Sequence, residues 1–237
     1  MAKVEPTAGI ADLHLHTDHS DGEDSPSDVL DWAGRIGLDV IAITDHDVID
    51  GALVAAELAG RRDSGPEVIV GEEVSSRDGH ILALFIESVV PPDMSAEETV
   101  AAIHEQGGVA LAAHPYWRTS SFDYKGRMFG IGDRFAELDF DAVEVINGGF
   151  TPSMIGANRR AGWVAEALGR TQVGGSDAHV KHALGWAHTR FAGSTANELR
   201  RSIAAGRTQA GRSRIHPTGL RRYAAWTIGR LRLPAAG

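Results

Sequence analysis

Along residues 11–206 of this 237-residue chain, short apolar runs alternate with segments that carry helix-start signals. That alternation constrains the fold most, because strands regularly separated by helices pair in parallel through βαβ units. Residues 11–15, 39–44, 67–70, 80–86, 109–113, 141–146 and 171–173 read as strands. Ser25-Pro26-Ser27-Asp28 predicts a helix start with Ser25 as N-cap and Pro26 in the first turn; Gly37 sits where a C-terminal cap belongs. Ser95 to Glu98 has the pattern of a capping box, and Thr195 to Glu198 opens a further helix. Residues 52–62 and 157–168 read as the remaining helices, and Arg77-Asp78-Gly79 as a turn between strands. About seven such units predict an α/β protein built as a barrel or a related layered sheet. Residues 118–140 mix glycine, charge and aromatics in the manner of an active-site loop. Past Arg207 the strand pattern is lost, so the expected division is a main domain over 1–206 and a basic C-terminal appendage over 207–237.

Composition narrows the class. Hydrophobic residues make up 43% and charged residues 23%, a globular rather than a disordered balance. The longest apolar runs fall well short of a membrane span, and the first residues lack a signal-peptide core. Cysteine is absent, which excludes disulfides and thiolate zinc sites and fits a cytoplasmic setting. Residues 1–198 carry 14 basic and 32 acidic side chains, whereas residues 199–237 carry nine arginines and no acid. The acidic body disfavours a nucleic-acid polymer as partner. The basic tail reads as a closing helix with a solvated arginine face, or as a contact for an anionic partner.

Imidazoles and carboxylates fall just past strand after strand. His14 and His16 are two apart, so in a strand they share a face and reach one ion. Asp21 follows in a Ser-Asp-Gly loop, with His19 as a competing donor. The later strands lead into Asp45-His46-Asp47, Glu72-Glu73, His80, His114 and Asp177-Ala178-His179. In a barrel these strand ends converge on one cleft. Nitrogen and oxygen donors without sulfur suit zinc, manganese or iron. So many candidates exceed one four-coordinate ion and suffice for two or three bridged ions. Burying them without a cation is costly.

D-L-H-x-H-T-x-x-S-D-G, T-D-H-D, G-E-E-V-S, A-H-P and S-D-A-H, in this order, resemble the motifs of the PHP (polymerase and histidinol phosphatase) superfamily. The resemblance implies a stand-alone metal-dependent phosphoesterase with a distorted (β/α)7 barrel and a trinuclear centre, usually of manganese, zinc or iron. It also implies a ligand set: His14, His16, Glu73 and Asp177 for one ion, and His80 and His114 with bridging Glu73 for a second. Asp21, His46 and His179 are implied for the third. The segment E-V-I-N-G-G and the stretch after it resemble the C-terminal region of stand-alone members, some of which hydrolyse carbamates or amides. The large helical insertion of the nucleoside 3′,5′-bisphosphate phosphatases is missing.

Water shared by two cations is acidified toward a pKa of roughly 7 and attacks phosphorus in line. Asp177 is read as the proton carrier or as a plain ligand, and Arg118 as a clamp on a small phosphorylated substrate. Asn147, Arg159 and Lys181 are weaker candidates for anion contacts. Tyr116 and Trp117 read as a stacking surface or as core, Asp45 or Asp47 as a partner that orients an imidazole, and His182 as a neighbour of the site. The expected function is phosphoester hydrolysis. The alternatives are a carbamate, ester or amide hydrolase on the same site and a non-catalytic metal-stabilised module.

Overall fold

A computed structural model describes residues 8–117, 129–215 and 217–231. Among them are nine strands: β1 (Ala8–Asp12), β2 (Val40–Ile43), β3 (Glu67–Ser76), β4 (Gly79–Leu84), β5 (Val109–Ala112), β6 (Ala142–Asn147), β7 (Gln172–Gly175), β8 (Ala187–Ala192) and β9 (Gln209–Arg212). Six α-helices accompany them: α1 (Pro26–Ile36), α2 (Asp50–Gly60), α3 (Ala96–Glu105), α4 (Pro152–Ala167), α5 (Ala196–Ala204) and α6 (Pro217–Leu231). The strands form one sheet in the order β7-β6-β5-β4-β3-β2-β1-β8-β9. β1, β2 and β3 pair in parallel, as do β5, β6 and β7. β4 lies antiparallel between β3 and β5, and β8 and β9 add an antiparallel pair beside β1.

The sheet curls until β7 meets the β1–β8 side. Thr189 of β8 donates its hydroxyl to Gly174 O at 2.8 Å and accepts Gly174 N–H at 2.9 Å. Just beyond β1 and β7, Asp177 N–H donates to His14 O at 2.7 Å and His16 N–H to Ala178 O at 2.9 Å. The seam of the α/β barrel therefore closes at residues 14–16 and 177–179. All seven expected strands are present, and β8 and β9 raise the count. Their sequences, AHTRFA and QAGR, lack the continuous apolar run of a doubly covered strand.

Local signals fix the helix ends. The Ser25 side chain accepts Asp28 N–H, and Gly37 takes the left-handed conformation after α1. Ser95–Glu98 and Thr195–Glu198 form reciprocal capping boxes on α3 and α5. α4 begins at Pro152, five residues before the expected start, with Thr151 as its cap. β3 and β4 form a hairpin in which Ser76 pairs with Gly79 across Arg77-Asp78.

A buried cluster of Val40, Ala42, Ile69, Leu82, Leu111 and Ala142 takes in Phe191 and, from α5, Leu199 and Ile203. Ile69 and Glu73 lie four residues apart in β3 and so share a face; Ala142 and Glu144 share one in β6. This cluster thus underlies the face on which Glu73 and Glu144 project. A second cluster, with Val74, Ile81, Val100, Ile103 and Val143, covers the other face under α3. Among the described residues no helix is long and apolar enough to cross a membrane.

Candidate metal centre

Glu73 is the hub. Its Oε1 lies 2.8 Å from His80 Nδ1 and 3.0 Å from His114 Nε2. Its Oε2 lies 3.1 Å from His14 Nε2, 3.3 Å from His16 Nε2 and 3.4 Å from His46 Nδ1. Asp177 Oδ1 completes one side, 3.5 Å from His14 Nε2 and 3.2 Å from His16 Nε2. Asp21 completes the other, with Oδ1 3.1 Å from His179 Nε2 and 3.7 Å from His16 Nδ1. The structure brings all nine sequence-derived donors together.

Three overlapping groups have donor atoms within 4.8 Å of one another: His14, His16, Glu73 and Asp177; His46, Glu73 and His80; and His16, Asp21, His46 and His179. The first matches the expected set. His46 joins His80 in the second, and His16 joins the third, so three side chains are shared between groups. His19 is exposed and outside them, whereas Asp21 lies inside the third.

The chemistry of these contacts fits cations. His179 Nδ1 lies 3.0 Å from Asp177 O, an acceptor only, so that nitrogen carries the proton and Nε2 turns a lone pair toward Asp21. His14 Nδ1 likewise faces Glu144 Oε1 at 3.1 Å, which leaves its Nε2 lone pair toward Glu73 and Asp177. Nε2 of His14, both ring nitrogens of His16, Nδ1 of His80 and Nδ1 of His114 are buried with no hydrogen-bond partner. Lone pairs facing carboxylates in dry protein repel unless a cation or a proton stands between them. Burial disfavours charge on His14, but Glu73, Asp177 and Glu144 outweigh it and hold the imidazole well above its ordinary pKa. His16 is raised to about 10: burial again opposes, and Asp177 and Glu73 prevail. His46 goes down to about 4, chiefly through burial. Glu73 and Asp177 stay well below the ordinary carboxylate range despite burial, with His14 the first imidazole to oppose it in each case.

A supporting layer holds these donors. Glu144 of β6 receives His14 on one oxygen and, on the other, His114 N–H at 2.8 Å and Asn147 Nδ2 at 3.2 Å. Asn147 Nδ2 also lies 3.1 Å from Asp177 Oδ2. A Cβ at Gly175 would stand 2.5 Å from His14 Cβ and 2.8 Å from Glu144 Oε1, so glycine is what lets β7 approach. His114 and Asp177 have positive φ, 25° and 52°, backbone strain of about 1–3 kcal/mol each, as is common at functional sites. Glu144 was not singled out as a site residue from sequence; its signals are its place at the head of E-V-I-N-G-G and its being a lone acid within the apolar run AVEVIN.

Other expectations sort as follows. Asp45 binds Thr17 N, Thr17 Oγ1 and Ser20 Oγ at 2.6–2.7 Å, fixing the loop that presents Asp21 rather than orienting an imidazole. Asp47 accepts Ser75 N–H on one carboxylate oxygen. Glu72 points away from the hub and accepts Val90 N–H at 2.9 Å. Lys181 pairs with Asp24 and Asp28, Arg159 is exposed, and His182 packs at a tilt against Trp32. Trp117 lies with its ring 5.5 Å from His114 and 4.7 Å from Phe129, while Tyr116 donates to Asp133. Arg118 lies outside the described residues.

Two family models match the chain: the PHP domain over residues 12–124 and the PHP-associated region over 156–208. An uncharacterized protein of Methanocaldococcus jannaschii is 37% identical over 148 residues, 58% of this chain and 81% of that protein. The chain belongs to the PHP family. A phosphoribosyl 1,2-cyclic phosphate 1,2-diphosphodiesterase of Eggerthella lenta is 40% identical over 88 residues, 35% of this PHP chain but only 33% of that relative. Among solved structures, a two-domain Bacteroides vulgatus protein containing a predicted PHP-like metal-dependent phosphoesterase superposes with a TM-score of 0.70. That superposition has 21% identity and covers 89% of this chain and 67% of the other. It establishes a shared fold.

Proposed function

We propose that this PHP protein is a metal-dependent hydrolase that cleaves a phosphate ester of a small phosphorylated metabolite or nucleotide. The observation that carries the reading is the sharing of His16, His46 and Glu73 among three donor groups, which suits two or three adjacent ions. Relatives named as phosphodiesterase and as 3′,5′-nucleoside bisphosphate phosphatase support the reaction class. His14, His16, Glu73 and Asp177 would hold one ion, His46, His80 and His114 with Glu73 a second, and Asp21, His46 and His179 a third. Bound manganese, zinc or iron supplies a Lewis acid that activates water and neutralises phosphoryl oxygens.

The chain's own groups do the rest. Asp177 keeps Oδ1 among the imidazoles and Oδ2 on Asn147, so it is steered at both oxygens while it takes a proton from the attacking water. Glu144 and Asn147 keep His14, His114 and Asp177 from turning away. We assign Arg118 to the substrate phosphate, since in sequence it follows Trp117, whose ring packs on His114. Residues 1–206 form the hydrolase body in this reading, working in a cytoplasmic setting, and 207–237 add to it.

Phosphate release over a panel of sugar, nucleotide and amino-alcohol phosphates tests the reading, with protein reconstituted with manganese. Release from one class, lost in folded and metal-loaded Asp177→Asn, is the expected result. Silence across the panel in metal-loaded protein overturns the phosphomonoesterase version, and diesters and aryl carbamates then become the substrates to test.

A further inference from the structure

The arginine-rich C-terminal stretch reads in sequence as a closing helix with a solvated arginine face, or as a contact for an anionic partner. Its helix α6 keeps Arg221 and Arg222 exposed and docks another face against the barrel rim. Gly219, Tyr223 and Trp226 recur at i, i+4 and i+7, the spacing of one helical face, and are buried or half-buried. Arg221, Arg222, Ala225 and Ile228 between them are exposed. Gly219 permits the approach, since a Cβ there would meet His182 O at 2.7 Å and Trp186 Cζ2 at 2.9 Å. Tyr223 then packs within an aromatic set, its ring centroid 5.5 Å from Phe150, 5.7 Å from Trp186 and 5.5 Å from Trp226.

That docking places Trp226 on two donors of one group. Its ring centroid lies 4.5 Å from that of His179, tilted by 35°, and its Nε1–H donates to the backbone carbonyl of Asp21 at 3.3 Å. His179 and Asp21 are far apart in sequence and face each other at 3.1 Å. Trp226 spans that pair from outside. His179 is also held by Asp177 O through Nδ1, so the indole limits swinging of a ring already fixed in its tautomer. Asp21 lies in a loop, and the indole N–H bonds that loop at the donor residue itself.

We propose that Trp226 is a positioning residue for the Asp21–His179 edge of the metal centre, and that α6 thereby sets how tightly the ion on that edge is held. This rests on the metal reading above and adds to it a residue outside both matched family regions. Partners that orient metal ligands are worth about 10–100-fold in affinity. An effect of that size is expected for one ion and not for those held by His14, His80 and His114.

The test uses the full-length chain, stripped of metal and titrated with Mn2+, with free Mn2+ read by electron paramagnetic resonance. Asp21→Asn identifies which ion sits on this edge. Trp226→Ala is expected to weaken that same ion about 10–100-fold, leaving the other affinities unchanged. Trp226→Phe keeps a ring over His179 but loses the N–H, so a smaller loss is expected, in a variant less apt to disturb folding. Ile228→Ala, on the exposed face of the same helix, is expected to bind as wild type. Wild-type affinities in both Trp226 variants overturn the proposal while the metal reading stands. Equal weakening of every ion together with a fallen Tm also overturns it, because that marks general support of the fold. A wild-type chain that binds no Mn2+ sinks the metal reading itself.

Discussion

Glu72 and Glu73 are neighbours in β3 and both are buried, yet they serve two different regions. Glu73 projects to the inner face, where five imidazoles surround it, and it remains ionised against the cost of burial. Glu72 projects to the outer face, accepts one backbone N–H from Val90, and leaves Oε1 without a hydrogen-bond partner. Burial pushes Glu72 up to about 8. A buried acid is therefore not in itself a sign of chemistry. Company decides: donors that converge keep a carboxylate charged and ready to bind a cation, whereas apolar walls keep it protonated as a structural hydrogen bonder.

The sharpest way to break this contrast is to remove the hub. Glu73→Gln is expected to abolish high-affinity metal binding, by more than about 100-fold, since outer partners alone reach that range. Hydrolysis and the rise in Tm on adding Mn2+ should vanish with it; retained ion binding by calorimetry would break the assignment of Glu73 as hub. Glu144→Gln, one layer out, is expected to weaken the ion held by His14 by about 10–100-fold while the fold persists. Unchanged metal affinity there would reduce Glu144 to packing.

Glu72→Gln is the smallest change in function and should leave hydrolysis within about threefold, as direct rate measurements will show. Its effect lies in stability. Glu72 binds its proton more tightly when folded, so folding takes up a proton between the ordinary value of about 4.3 and about 8. Stability from this group is complete below that window and falls as pH rises through it, by up to about 1.4 kcal/mol per pH unit. Wild type should therefore lose stability relative to Glu72→Gln between pH 5 and pH 8 in urea titrations. Parallel curves for the two proteins would remove the distinction between the two faces.

Much of the site was legible because it obeys local rules. Ser25, Ser95 and Thr195 announce their helices through side-chain caps that need no tertiary context. His14, His16, His46, His114 and Asp177 follow strands, Glu73 lies near the end of β3, and the strands converge. Choosing Glu73 over Glu72 rested on the resemblance, and the period of two that it shares with Ile69 agrees. Glu144 stayed hidden because one acid in an apolar strand does not say what it meets across the barrel. The role of α6 stayed hidden for a different reason. Its only charged residues are arginines, whereas its docking face consists of three residues, Gly219, Tyr223 and Trp226, whose partners lie in other elements.

The barrel seam has a consequence for biosynthesis. His14 and His16 leave the ribosome early, but the backbone partners that close the seam, and the donors Asp177 and His179 with them, are made some 160 residues later. At roughly 5–20 residues per second, His14 and His16 wait about 10–30 s for that counterpart. During this interval a growing chain presents two histidines that can capture an ion but cannot enclose it. On the metal reading proposed above, loading of the full centre would wait until Asp177 and His179 are made, and a bound ion would then act as a clasp across the barrel seam.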